Sequence, residues 1–232
     1  MTDVKLFSTL AVRKPLDDVL FSAFTADTGF TVAPTFDPTV QLLRRIDAGE
    51  TFDVMIGVTS SFDTLAARGI VALQSRTAIA RTGIGLAVAP GSVHPDISTD
   101  ERFREALLSA RSVAYSRTGA SGIYFAQLIQ DLGIADAINA KATIIEKGFI
   151  ADAVVDGRAD IAIQQMSELL FVEDAEIVGP FPEDVQHYTE FSAALSTAGT
   201  SNAAAVRFIE ALGSAESAPA YMASNLDPMT AV

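Results

Sequence analysis

The sequence predicts an α/β fold in which parallel strands are covered on both faces by helices. Three observations carry this. From residue 4 to residue 69, short and nearly uninterrupted apolar runs alternate with segments whose apolar residues recur at helical spacing. The alternation resumes between residues 112 and 164. Strands buried on both faces lose the polar-apolar alternation of a half-exposed strand, and their helices bring a single apolar stripe to cover them. Finally, 232 residues, 49% of them hydrophobic, supply core for one large domain or two small lobes.

Residues 4–8 read as the first strand, with Thr9 at its end. Arg13-Lys14-Pro15 opens a helix to about residue 28, with Pro15 at the first helical position and Gly29 as the stop. Its inner side carries Leu16, Val19, Leu20, Ala23 and Phe24. Residues 30–36 form the second strand. Asp37-Pro38-Thr39 then places a cap residue and a proline ahead of a helix that turns Leu42, Leu43 and Ile46 inward and ends at Ala48-Gly49. Residues 52–58 form the third strand, and Ser60 or Ser61 caps a helix that stops at Gly69. Ser8, Thr9, residues 37–39 and residues 58–61 fall at the carboxyl ends of these strands, where ligands of such sheets bind.

Residues 79–90, IARTGIGLAVAP, are a long extended segment with two glycines, suited to crossing from one lobe to another. Ser98-Thr99-Asp100-Glu101 matches a capping box for a helix to about residue 110. The apolar run 112–115 reads as a buried strand that ends in the small-residue turn SRTGASG and leads into a helix. Ile123, Phe125, Ala126, Ile129 and Leu132 are available to the inner side of that helix. Such a turn leaves several N–H groups unpaired at a helix start, with the positive end of the helix dipole behind them, which makes an anion site. The same residues also serve simply as a turn. Strands over 142–146 and 160–164 flank a short helix over 149–157, and Gln164-Gln165 sits at the carboxyl end of the second. Strands at 176–180 and 188–197 follow, the latter returning to the first lobe. Ser201 caps a helix to about residue 212 whose inner residues are Ala205, Val206, Phe208, Ile209 and Leu212. The tail, 221–232, is weakly patterned.

A net charge of −13 argues against nucleic acid and against an anionic membrane surface as partners, and is compatible with a small anionic ligand in a locally positive pocket. No apolar run approaches the roughly 18 residues that insertion into a bilayer needs. Without cysteine there is no disulfide, thiolate nucleophile or iron–sulfur site, and two histidines, His94 and His187, cannot build a multi-histidine metal centre. No metal and no cofactor are expected. Met1-Thr2-Asp3-Val4 runs into the first strand with neither a basic nor an apolar leader. The expectation is cytoplasmic as written, or periplasmic if a leader was removed.

The ordered set of motifs VKLFSTLAV, FDPTVQLLRRIDAGETFDVMIGV, TGIGLAVAPGS, SVAYSRTGASGIYFAQLIQDLGI, RADIAIQQMSEL and VGPFPED resembles the molybdate-binding-protein-like branch of the type 2 periplasmic solute-binding proteins over essentially the whole chain. The resemblance implies two α/β lobes with a ligand cleft between them, one formed by residues 1–80 and 188–232 and the other by residues 81–187. Family members hold oxyanions with hydroxyls and helix-start N–H groups. The matching positions are Ser8, Thr9, Thr39, Gly119, Ala120, Ser121, Gly122 and Gln164, with Ser116, Thr118, Gln165 and Arg81 beside them. If the chain is exported, an ABC permease is the implied partner.

The sequence departs from the molybdate binders in three places. Ala11 stands where they have a ligand serine, Asp37-Pro38-Thr39-Val40 replaces a serine cluster, and Gln164 or Gln165 replaces a tyrosine. Arg13 and Arg81 lie near the ligand edges, and a guanidinium suits a planar carboxylate. These departures point to a binding protein for an organic carboxylate rather than molybdate. The alternative is a cofactor-free isomerase of a small unsaturated carboxylate, since aconitate isomerase resembles this branch. Asp37, Glu168 and His187 are then the candidate bases. A regulatory ligand sensor lacks a visible DNA-binding module. A serine hydrolase is disfavoured because Ser121 lies in Gly-Ala-Ser-Gly rather than Gly-x-Ser-x-Gly.

Overall fold

The computed structural model describes residues 3–146 and 148–229, which divide into two compact units. One unit runs to Arg81 and resumes at Glu190; the other is Thr82–Thr189. Residues 1–2 of the leader reading and the last three residues of the weakly patterned tail lie outside the described residues.

The first unit opens with β1 (Val4–Ser8). A helical turn at Leu10–Val12 leads into α1 (Arg13–Pro15), a π-helical stretch Leu16–Leu20 and α2 (Phe21–Thr28). Pro15 therefore lies inside the segment rather than at its first position. It has no N–H to give to Ala11, and directly after it the hydrogen-bond ladder widens before recovering α geometry. Gly29 ends α2 in the left-handed region at φ 76°, donating to Thr25 O at 2.9 Å. Next come β2 (Val32–Phe36), α3 (Thr39–Asp47), β3 (Val54–Val58), α4 (Ser61–Ala67) and β4 (Thr77–Thr82).

The second unit contains β5 (Ile84–Val88), α5 (Asp100–Ser109), β6 (Val113–Tyr115), α6 (Ala120–Asp131) and α7 (Ala135–Asn139). It continues with β7 (Ala142–Ile144), α8 (Asp152–Val155), β8 (Ile161–Gln165), α9 (Met166–Leu169) and β9 (Glu176–Pro180). The chain then re-enters the first unit through β10 (Thr189–Leu195), followed by α10 (Ala203–Leu212), α11 (Ala218–Met222) and β11 (Asp227–Pro228).

Each unit has one sheet, of order β11-β4-β10-β3-β1-β2 in the first and β7-β6-β8-β5-β9 in the second. The sheets are mixed rather than parallel throughout. β1 runs parallel to β2 and β3, and β6 parallel to β7 and β8, whereas β10 is antiparallel to β3, and β5 antiparallel to β8 and β9. The segment 79–90 is two strands, broken at Gly83.

The central strands of both sheets are buried on both faces, which explains their unbroken apolar runs, whereas the edge strands β2, β7 and β9 are only partly covered. Leu6, Val54 and Ile56 pack with Phe24, Phe208 and Leu212 on one face; Phe7 and Met55 pack with Leu42, Ile46 and Phe62 on the other. In the second unit Val113, Tyr115, Ile161 and Ile163 join Phe125 and Ile129, while Ala114 and Ala162 join Ile150, Val154 and Leu169. Each large apolar side chain so buried contributes roughly 1.5–3 kcal/mol.

Several local readings are corrected. Val19 and Ala23, on the inner side of the first helix by spacing, are exposed. Ser60 precedes α4 without a side-chain cap, and the Ser61 hydroxyl donates to Val58 O. Ile123 is 50% exposed, and Leu128 takes the inward place on α6 instead. α10 is capped by Asn202, whose side chain accepts from the N–H groups of Ala204 and Ala205; the Ser201 hydroxyl donates to Ala198 O. α5 is capped by Thr99, because Ser98 is held by Asp96.

Candidate functional site

The clearest cluster of polar groups in the second unit lies at the carboxyl ends of β6 and β8. The parallel register pairs Val113 with Ile161 and Ala114 with Ala162 and ends there, so Ser116 and Gln164 both follow the paired residues on the carboxyl side. The Ser116 hydroxyl accepts from the N–H groups of Thr118 and Gly119, both at 3.1 Å. Accepting twice leaves its own proton to give, with Thr118 Oγ1 at 3.3 Å as its hydroxyl neighbour. Thr118 instead spends its proton on Glu146 O at 3.2 Å. Gly119 is the residue before α6, and Ile123 N closes the first intrahelical bond to Gly119 O at 3.0 Å. Ala120, Ser121 and Gly122 thus form the helix's first turn, whose N–H groups have no acceptor within the helix. A Cβ on Gly122 would overlap the Ser116 carbonyl oxygen, so this glycine lets the turn sit against the strand end.

At the end of β8 the two glutamines diverge. Gln164 Oε1 accepts from Ile150 N at 2.7 Å, which fixes the amide, and its NH2 group donates to the Glu168 carboxylate. Gln165 donates through Nε2 to Thr189 Oγ1 at 2.8 Å, and its backbone N–H donates to Glu168. Glu168 is the third residue of α9 and reaches back to the residue preceding it, one half of a capping box. It is buried, at 9% exposure. Burial pushes its carboxyl up to about 7, against the opposing effect of the Gln164 amide and the Gln165 N–H. Gln165 Oε1 and Ser167 Oγ are buried without a hydrogen-bond partner.

In the first unit, Ser8, Thr9, Asp37 and Thr39 gather at the ends of β1 and β2. The fully buried Ser8 hydroxyl donates to Thr9 O at 3.1 Å, which uses its one proton, and Thr9 N donates to Ile56 O. Thr39 Oγ1 accepts from Val58 N at 3.2 Å and keeps its proton. Asp37 does not cap α3, which follows Pro38 without a side-chain cap. It is buried and accepts from Arg45 Nε at 2.8 Å, and Arg45 also holds Glu50. The Asp37 carboxylate, then Glu50, raises the Arg45 pKa above its ordinary value.

The remaining candidates stand elsewhere. Arg81 pairs with Asp227 at 3.2 Å, and Arg13 with Asp17 at 2.9 Å while lying over the Phe36 ring. His187 is exposed and stacks on Tyr124 at 4.6 Å. His94 binds Glu176 at 2.9 Å. Ser167, the Ile150 N–H and Arg45 were not legible as participants, because each enters through a tertiary contact. Among the described residues no group of three or more His, Cys, Asp or Glu side chains could hold a metal, and no helix is long and apolar enough to cross a membrane.

Residues 4–224 match the family described as bacterial extracellular solute-binding protein. An aconitate isomerase of Pseudomonas sp. is 34% identical over 201 residues, covering 86% of this chain and 76% of that one. Among solved structures, the periplasmic molybdate-binding protein of Azotobacter vinelandii superposes with a TM-score of 0.78 at 17% identity, covering 96% of this chain and 98% of the other. The sulfate-binding protein of Mycobacterium tuberculosis does so at 0.77 and 15% identity, covering 99% and 88%. These two structures share the two-lobed α/β fold of periplasmic solute-binding proteins. With nearly the whole chain matched, this protein belongs to the bacterial extracellular solute-binding protein family.

Proposed function

We propose that this chain binds a small organic carboxylate, seated in the second unit on the first turn of α6 and the Ser116 hydroxyl. The observation that carries this reading is the hydroxyl of Ser116. It accepts two N–H groups, has a long 3.3 Å contact to Thr118 Oγ1 as the outlet for its proton, and lies against a turn that Gly122 allows to approach. Neutral donors of this kind hold a carboxylate without a buried counter-charge. The name of the isomerase relative favours a polycarboxylate of the aconitate type over molybdate or sulfate. As a solute-binding protein, the chain's natural partner in this reading is an ABC permease.

A thermal-shift titration with cis-aconitate, trans-aconitate, citrate, molybdate and sulfate tests the reading. A carboxylate at about 100 times its dissociation constant should stabilise by roughly 2.7 kcal/mol. Stabilisation by molybdate or sulfate, with none by any carboxylate, overturns it.

A second reading, isomerisation of an unsaturated carboxylate, is favoured by the 34% identity to an aconitate isomerase over 86% of the chain. It predicts that cis-aconitate incubated with the protein in deuterated water shows isomerisation by proton NMR. An unchanged spectrum under conditions of demonstrated binding removes it.

A further inference from the structure

We propose that the groove between α2 and α10 docks a basic amphipathic segment of a partner protein, with an apolar side chain seated between the helices and lysine or arginine at the rim. The groove lies wholly within the first unit and shares no residue with the carboxylate reading above.

The apolar stripes of the two helices draw them onto the same face of the first sheet. Phe24 from α2 and Phe208 and Leu212 from α10 pack there with Leu6, Val54 and Ile56. The Phe24 and Phe208 rings meet edge to face at 5.0 Å and join the helices at their base. The rest of the lining includes the small residues Ala23 on α2 and Ala211 on α10, and a hollow of about 460 Å³ stays open, within the range of ligand-sized pockets. Val19 also lines it, from the π-helical stretch ahead of α2, a backbone geometry that recurs at functional positions. Val19 is 45% exposed, and Ala23, one turn later, is exposed as well. Both have the helical spacing of core residues, yet they line a groove instead. An apolar side chain that covered them would remove this surface from water, which is the drive for a helix-in-groove contact.

Charge at the rim selects the rest of the segment. Asp27, Glu210 and Glu216 line the opening against one cation, Arg207. The Arg207 guanidinium is shared, with Nη2 3.4 Å from Asp27 and Nε 4.0 Å from Glu210. Glu216 accepts from its own N–H and from the Ser214 side chain, neutral groups that lower its carboxyl pKa and leave its charge in place. Three carboxylates against one guanidinium leave the rim negative, on a chain whose net charge is −13. Such a rim repels an acidic segment and an anionic membrane surface. It attracts lysine and arginine, whose long stems reach outward while a neighbouring apolar side chain fills the hollow.

The test uses the nitrogen-15-labelled full chain and two synthetic peptides, one of leucine and lysine with leucine at i, i+3 and i+4, the other with glutamate in place of every lysine. Amide shifts map where each binds. The leucine–lysine peptide should move Val19, Ala23, Thr28 and Ala211 most, and the leucine–glutamate peptide should move none of them. Glu216→Lys should weaken the first peptide at least about threefold, because it turns an attraction into a repulsion. Ala23→Trp should fill the hollow and abolish the shifts at Thr28 and Ala211. Both residues are exposed, and the amide spectrum of each free variant reports whether its fold is kept. Should Ala23→Trp fail to fold, Glu216→Lys decides. Shifts spread over the acidic surface without a cluster at the groove overturn the proposal, as do equal shifts with both peptides or unchanged affinity in Glu216→Lys. Dodecyltrimethylammonium, added below its micelle threshold, is the small-molecule control. Shifts at the groove from it, with none from the leucine–lysine peptide, overturn the protein partner in favour of a small cationic amphiphile.

Discussion

The backbone carbonyl of Ser116 occupies the space that a Cβ on Gly122 would need. The obstacle is main chain rather than a flexible side-chain tip, so the start of α6 has to move if residue 122 is anything but glycine. Gly119, three residues earlier, is unlike it: its Cβ would meet the Ser116 side chain at an ordinary 3.7 Å. Gly122→Ala should therefore cost about 3 kcal/mol in urea unfolding and abolish ligand-induced stabilisation. Gly119→Ala should cost under about 1 kcal/mol. Equal costs would show that the turn is not held by this approach.

Glu168 makes stability depend on pH in an unusual direction for an acid. Unfolded, a glutamate titrates at its ordinary value of 4.5; folded, burial pushes this one up to about 7. Between those values the folded chain binds the extra proton. The stability from this group is therefore fully present below pH 4.5 and is lost as pH rises through 7, roughly 3 kcal/mol in all. Glu168→Gln should flatten that slope, read as urea midpoints at pH 5 and pH 8. A variant that follows the wild-type slope would assign the effect to another group.

Asp37 has a structural occupation that competes with any role as a base. Its carboxylate is buried against the Arg45 guanidinium at 2.8 Å. Asp37→Asn should lower stability by about 2 kcal/mol, the value of a hydrogen bond to a charged group, and leave proton exchange into a bound acid unchanged. Loss of exchange with unchanged stability would reverse this assignment.

The start of α10 is set by Asn202, which caps Ala204 and Ala205 and also donates through Nδ2 to Asp3 O at 2.8 Å. Asn202→Ala should cost about 1 kcal/mol or more, and Ser201→Ala less than about 0.5 kcal/mol. Chemical denaturation of the two variants checks the ordering.

The strands and long helices were legible because their signal is local. Val4–Ser8 and Glu176–Pro180 begin and end where the apolar runs do, and Gly29 stops its helix as a left-handed residue. What escaped was anything decided by a neighbour distant in sequence. Ser201 and Asn202 are both good caps, and the tie goes to Asn202, whose amide also reaches Asp3. Ile123 has the helical spacing of a core residue, yet the inward arc of α6 passes through Ser121, Gly122, Phe125 and Leu128. At the candidate site the sequence supplies donor types at strand ends. Which hydroxyl retains its proton is settled by contacts such as Ser8 to Thr9 O and Ser116 to two N–H groups, and no spacing rule carries those.

The strand order also determines what the two sheets offer to other chains. β2 closes one side of the first sheet and contains Pro34, which presents no N–H; the opposite side ends in the two-residue β11, itself half proline. In the second sheet the outermost strands are the three-residue β7 and β9, which finishes in Pro180. A template for strand addition needs a long row of alternating free donors and acceptors, and none of the four margins provides one. Among the described residues, both sheets therefore end in short or proline-bearing margins, which disfavour edge-to-edge strand pairing.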